Sequence, residues 1–232
     1  MCLRRWSIIY IIVFSILIAG TIGGNRIVQS VYSVQPLAHQ VTVVIDAGHG
    51  GIDGGAVSCT GVFESKINLE IALKLNDLFR FLGCNTVMIR DSDISVYTTG
   101  NTIAQKKMSD LKERVRIISE TNNAFLLSIH QNKFQESKYS GAQVFYADTQ
   151  GSKDAAELLQ ENLRKTINKS SNRMIKKASG IYIMEHIQCQ AILVECGFLS
   201  NPVEEAKLRN DNYQKQLCCV IAASIASFIS NT

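Results

Sequence analysis

The chain has 232 residues, 46% of them hydrophobic, and a formal net charge of +4. That length and apolar content suffice for one domain with a full core, and the two prolines mark no linker, repeat or low-complexity tract, so a separate targeting module is not expected. The basic residues are spread along the chain and Arg4 and Arg5 belong to its N-terminal segment, which leaves too small an excess for nucleic-acid binding.

Arg4 and Arg5 precede an uncharged stretch from Trp6 to Asn25 made mostly of Ile, Leu, Val, Phe and Tyr. Residues 1–26 therefore read as an export signal or a membrane anchor with a cytoplasmic N-terminus. No small-x-small cleavage site stands out, which favours a retained anchor with the remainder of the chain outside. The competing reading, a buried N-terminal helix of a soluble domain, fits poorly with a segment apolar on all sides. Cys2 lacks the preceding residues that bacterial lipidation needs. The seven cysteines are odd in number and irregular in spacing, which argues against a disulfide framework, although export leads to an oxidising space.

From 41 onward, strands are expected at 41–45, 85–89, 124–129, near 142–147, near 181–184 and at 191–195. Helices are expected at about 64–82, 110–122, 152–168, 203–209 and 212–229. Strands alternating with amphipathic helices imply an α/β fold, a single domain at 41–230 with a mostly parallel sheet sandwiched by helices. Gly83 fits the end of the first helix, and Ser200-Asn201-Pro202 the start of a later one. The strand near 142–147 reads as an edge strand beside the cleft; Gln143 is either a substrate contact or an ordinary solvent-facing residue.

Three apolar, β-branched segments end on residues able to bind a metal or move a proton: VVIDAGHGG at 43–51, LLSIHQN at 126–132 and ILVECGFLSNP at 192–202. Ligands of open α/β sheets sit beyond the carboxyl ends of the strands, so His49, His130 and Glu195 converge on one cleft. Glu64 opens a helix in which Ile67, Ile71, Leu75, Leu78 and Leu82 recur at helical spacing, and the glycines of GGIDGGAVSCTG let the chain fold back so that His49 and Glu64 face one ion. Two imidazoles and a carboxylate match a catalytic zinc site with one open position, and the mixed nitrogen and oxygen set also accepts other divalent ions. Hydrolysis there needs a base for water and an acid for the leaving group, and Glu195 is the candidate for both. Singly, each residue also reads as an ordinary polar group at a strand end; jointly that reading weakens, since the chain has four His and two follow buried strands directly.

Several other residues carry alternatives. Asp46 can support His49, but its direction is not legible. Asn132 either orients a ligand or caps the turn after its strand. Arg90 and Asp91 read as a structural pair. His186 either contacts substrate or lies on the surface, and His39 receives no role. Cys196 reads as core, because alternation on a strand turns it away from Glu195. Cys59, in the loop between His49 and Glu64, is a weak candidate for approaching the metal.

The sequence resembles the zinc-dependent N-acetylmuramoyl-L-alanine amidases (amidase type 3) that cut peptidoglycan, over roughly residues 41–230. The resemblance is carried by IDAGHGGIDGGA, the Glu64 helix start, MIRDSD, the Arg114 helix, SIHQN and VECGFLSNPVEE. It implies His49, Glu64 and His130 as ligands of one Zn2+ per chain and Glu195 as the catalytic residue. The chain is most similar to the germination-specific, spore-cortex type, through TTGNTIAQKKMSDLKERVRIIS, the GAQVFYAD strand and the lack of wall-binding repeats. Ala47 stands where the family commonly has Pro, and Ser65 where it usually has Lys. The implied reaction is hydrolysis of the amide between the lactyl group of N-acetylmuramic acid and L-alanine, outside the cytoplasm, at the cell wall or where cortex is made. The partners implied are peptidoglycan, the membrane through the N-terminal segment, and a protein that positions or activates the domain; nucleic acid is not among them. Two rivals are a catalytically inactive peptidoglycan-binding or regulatory module, which intact Glu195 argues against, and a zinc carboxypeptidase on stem peptides, for which no Arg pair suggests a carboxylate pocket.

Overall fold

The computed structural model describes residues 41–169 and 171–231; the N-terminal segment at 1–26, with Cys2, and His39 lie outside the described residues. In chain order the elements are β1 (Thr42–Ala47), α1 (Glu64–Phe81), β2 (Asn85–Met88), α2 (Ile103–Glu120), β3 (Ala124–Asn132), β4 (Gln143–Tyr146), α3 (Ser152–Thr166), β5 (Lys176–Lys177), α4 (Tyr182–His186), β6 (Gln190–Phe198), α5 (Pro202–Leu208) and α6 (Asp211–Ser230). The strands form one sheet in the order β2-β1-β3-β6-β4-β5. Neighbours are parallel except β6 and β4.

The central strands are near-continuous apolar runs because both faces of a parallel sheet are covered. Val43, Val44, Ile45, Leu126, Leu127 and Val194 are fully buried. On one face, Val44, Leu126 and Leu193 join Ile118 of α2 and Ile183 and Met184 of α4 in one cluster. Elsewhere α1 packs on β1, β3 and α6, and α3 packs on β4, β6 and α6. The expected single α/β domain with helices on a mostly parallel sheet is the fold observed. Among the described residues no helix is long and apolar enough to cross a membrane.

Two helix ends follow the chemistry expected of them. Gly83 takes a φ of 81° just after the Leu82 cap of α1, a conformation that glycine adopts without steric cost. The Asn201 side chain accepts the backbone N–H groups of Val203 and Glu204, with Pro202 in the first turn of α5.

Three elements depart from expectation. α2 begins at Ile103 rather than near 110, because Thr102 and Gln105 form a reciprocal capping box; its first turns are too polar to show apolar periodicity. The segment near 181–184 is helical, not a strand: the Gly180 N–H donates to Glu185 Oε1 at 2.6 Å, and short apolar runs do not distinguish a strand from a buried helical turn. Finally β4 is not an edge, since β5 pairs with it at Phe145 and Tyr146. Gln143 is accordingly buried rather than solvent-facing, its amide donating to the Met174 carbonyl at 2.7 Å.

Candidate active site

The carboxyl ends of β1, β3 and β6 lie side by side, and β3 and β6 are in register with His130 opposite Glu195. Beyond His130 the register shifts before Asn132 pairs with Phe198; such bulges re-aim side chains next to functional sites. His49 sits just past β1 with a φ of 62°, rarely adopted by a residue with a Cβ and sustained only where the surroundings over-determine it. Here they do. The His49 carbonyl accepts Arg114 Nη2 at 2.7 Å, and Gly50 exchanges backbone hydrogen bonds of 2.8 and 3.0 Å with Asp53.

Glu64 is the first residue of α1 and is buried. Its Oε2 accepts the Ala56 N–H at 3.0 Å, and its Oε1 accepts the Gln131 N–H at 3.1 Å and Asn68 Nδ2 at 3.2 Å. So fixed, Oε2 lies 3.2 Å from His49 Nε2 and Oε1 lies 2.9 Å from His130 Nδ1. The ligand-capable atoms of His49, Glu64 and His130 all fall within 4.8 Å of one another. Two glycines make room for them. A Cβ at Gly48 would stand 2.2 Å from His130 Nε2, and one at Gly55 would stand 2.6 Å from His49 Cδ2 and 2.7 Å from Glu64 Oε2.

The electrostatics follow from this crowding. His130 and His49 hold the Glu64 carboxyl well below the usual range, against the opposing effect of burial. Burial works against a charged His49, but hydrogen bonds and charge from Glu64 and Asp53 override it and raise its pKa to about 9. Glu195 goes the other way: burial pushes its carboxyl up to about 7, opposed by His130 and reinforced by Glu64. Its Oε2 is shielded from solvent and has no hydrogen-bond partner among the described residues. A carboxyl with that value can both accept and deliver a proton near neutral pH.

The donor set suits a metal ion. It offers two nitrogens and a carboxylate oxygen, as catalytic zinc sites do. The Nδ1 of His49 is 2.8 Å from Asp53 Oδ2, the carboxylate partner that ligating histidines usually have. Asp53 in turn pairs with Lys107 at 2.7 Å.

The sequence brought His49, Glu64, His130 and Glu195 forward; Asp53 and Asn68 emerge only here, as do the roles of Arg90 and Arg114. Arg114, 2% exposed, donates to the Ala47 and His49 carbonyls and to the carboxylates of Asp46 and Asp110. Asp46 is therefore turned to Arg114 and Ser128, not to His49. Arg90 does not pair with exposed Asp91 as expected; it donates to the carbonyls of Ala47, Gly48, Ser65 and Ser92. An i, i+4 spacing from His49 to Asp53 and from Asp110 to Arg114 was the available signal. Cys196 is buried with its thiol 3.7 Å from the Val194 carbonyl, while Cys59 is exposed and outside the cluster. His186 is exposed and stacks on Tyr182. The Asn132 carbonyl accepts the Leu199 N–H at 2.8 Å, a backbone bond between the ends of β3 and β6. The six described cysteines are free thiols.

A doubly covered α/β sheet carrying such a cluster beside a buried carboxyl at its carboxyl edge fits a metal-dependent hydrolase. The chain belongs to the N-acetylmuramoyl-L-alanine amidase family, whose model matches residues 43–227. It is 32% identical over 197 residues to the germination-specific N-acetylmuramoyl-L-alanine amidase of Bacillus subtilis strain 168, covering 84% of this chain and 82% of that protein. Among solved structures it is similar to the CwlD amidase of Clostridioides difficile in complex with the GerS lipoprotein, with 39% identity, a TM-score of 0.79, and coverage of 82% of this chain and 99% of that one. It is also similar to the amidase AmiC2 of Nostoc punctiforme, at 28% identity and a TM-score of 0.70, covering 81% and 96%.

Proposed function

We propose that this amidase hydrolyses the bond between the lactyl group of N-acetylmuramic acid and L-alanine in peptidoglycan, with His49, Glu64 and His130 holding one zinc ion and Glu195 as the catalytic residue. The observation that carries this is a three-donor cluster with a buried carboxyl, Glu195, in register beside His130, its Oε2 without a hydrogen-bond partner among the described residues. A zinc ion held there supplies Lewis acidity and lowers the pKa of water. Asp53 fixes the ring of His49, while the backbone N–H groups of Ala56 and Gln131 fix Glu64. Glu195 removes a proton from the attacking water and delivers it to the alanine nitrogen as the amide breaks.

The catalytic domain is residues 41–230, and residues 1–26 act as a signal or membrane anchor that places it on the wall side of the membrane. The likeness to a germination-specific relative supports a role in spore cortex. The likeness to an amidase whose structure is that of a complex with a lipoprotein supports a protein partner that positions or activates this chain. Incubation of the chain with purified wall and cortex peptidoglycan, with zinc and with chelator, tests the reaction by mass spectrometry. Chelator-sensitive release of peptides with a free L-alanine amine is expected; an unchanged wall with zinc bound counts against it. Glu195→Gln is expected to abolish release at unchanged zinc content, and undiminished release would remove Glu195 from the mechanism.

A further inference from the structure

His49, His130 and Glu195 form a row across β1, β3 and β6, so the cleft has two sides. Beside His49 and His130 lies a cavity of about 200 Å³ bordered by α2, with Tyr97, Lys106 and Lys107 in its wall. On the β6 and β4 side lies a groove of about 260 Å³ lined by Asn132, Phe134, Gln143, Arg173, Lys176 and Phe198. Glu195 pairs with His130 on one flank and with Gln143 on the other. Residues paired across strands project from the same face, so the face bearing His130 and Glu195 continues directly to Gln143.

Arg173 is built into this groove. Its Nη1 donates to Gln143 Oε1 at 3.0 Å, its Nε donates to the Ser140 carbonyl at 2.8 Å, and its guanidinium carbon lies 4.5 Å from the centre of the Phe198 ring. Gln143 is itself anchored to the Met174 carbonyl. Arg114, Arg116, Arg209 and Lys107 each have a carboxylate partner, whereas Arg173 forms no ion pair among the described residues. Lys176, in register with Phe145, adds a second exposed cation on the same face. A half-buried guanidinium, oriented by two hydrogen bonds and an aromatic ring but lacking a counter-ion, is prepared for a carboxylate from outside.

We propose that Arg173 binds a carboxylate of the stem peptide, so that the peptide lies over β6 and β4 while the glycan lies on the α2 side. This rests on the amidase reading above. Glu195, in giving a proton to the alanine nitrogen, stands next to that nitrogen, and of the row of three it is nearest to β4. The peptide therefore runs from there towards Arg173. Its first free carboxylate is the α-carboxyl of the γ-linked D-Glu that follows L-alanine, about 7 Å from the alanine nitrogen by standard bond lengths. One strand spacing of about 4.8 Å plus part of the Gln143 side chain is a comparable reach.

The test needs no turnover and so is independent of whether the wall is cleaved. The full chain is titrated calorimetrically with an L-Ala-γ-D-Glu stem tripeptide whose D-Glu α-carboxyl is free, and with the same peptide amidated there. The wild-type chain is expected to bind the free acid about ten-fold tighter or more. Arg173→Gln is expected to erase that preference and Arg173→Lys to keep part of it, while Lys106→Gln leaves it intact. Equal or absent binding of both peptides by the wild-type chain overturns the proposal whether or not any variant folds. Loss of the preference in Lys106→Gln instead of Arg173→Gln, or an equal loss of both affinities in Arg173→Gln, overturns it as well.

Discussion

Gly48→Ala is expected to separate folding from metal binding. The added methyl would stand 2.2 Å from His130 Nε2 and 2.3 Å from its Cε1, against an ordinary contact of about 3.5 Å. The imidazole must therefore retreat by roughly 1 Å or turn aside, whereas the backbone at 48, outside the left-handed region, accepts alanine. Since the atoms struck are the far end of a side chain, the cost to folding is that of modest overpacking, about 1–3 kcal/mol. For the cluster the movement is more serious: it parts His130 Nδ1 from Glu64 Oε1, now 2.9 Å away, in a constellation that tolerates displacements of about 0.5 Å. Zinc affinity should fall by at least the ten- to hundred-fold, roughly, that disturbing a ligand's orientation costs. Competitive chelator titration gives the affinity, and urea unfolding of the metal-free chain gives the stability. A Gly48→Ala chain with wild-type zinc affinity would refute His130 as a ligand, and one that cannot fold without metal would refute the claim that the ring moves alone.

Three further outcomes are expected. Arg114→Met should cost about 3–5 kcal/mol in urea unfolding at neutral pH, because it strands a fully buried carboxylate. Arg114 lowers the folded pKa of Asp46 against burial, and in the variant that burial is no longer offset by Arg114, so the gap is complete above the variant's higher Asp46 value and closes as pH falls through it towards the lowered wild-type value; a gap unchanged at about pH 2 contradicts the pairing. His49, raised to about 9 in the metal-free chain, must give up its proton to a metal, so zinc binding at pH 7 should release about one proton and tighten as pH rises towards 9; calorimetric heats that do not vary with buffer would contradict this. Cys196→Ala should keep full turnover at about 1 kcal/mol lower stability, and lost turnover in a well-folded variant would reopen thiol chemistry at β6.

The strands at the centre of the sheet were legible because burial on both faces leaves an unbroken apolar run, and the three runs of β1, β3 and β6 end on His49, His130 and Glu195 for the same topological reason. α2 was half legible: its exposed first turns follow Thr102 and Gln105, a capping signal independent of hydrophobic period. α4 was misread because Ile183 and Met184 are both buried, and two adjacent buried apolar residues fit either period. Gln143 was misplaced because pairing with a two-residue strand at Lys176–Lys177 leaves almost no pattern. The support around the cluster was hidden for a different reason. Arg90 acts through backbone carbonyls, as does Arg114 in half of its bonds, and carbonyls have no letter in a sequence.

Those two arginines explain how a histidine is kept at positive φ without help from a proline at position 47. The Ala47 carbonyl accepts both Arg90 Nε at 2.8 Å and Arg114 Nη1 at 3.1 Å, and the next two carbonyls are taken by Arg90 at 3.0 Å and by Arg114 at 2.7 Å. Arg90 further ties this run to the Ser65 carbonyl at 2.9 Å, one residue beyond Glu64. Burying two guanidinium groups so close together contributes little net stability, since desolvation offsets most of the attraction to Asp46. What they supply is position. The same guanidinium that holds the Gly48 carbonyl holds the start of α1, so His49 and Glu64, which reach the cluster from opposite ends of a long glycine-rich loop, are registered against each other through Arg90 even before a metal binds.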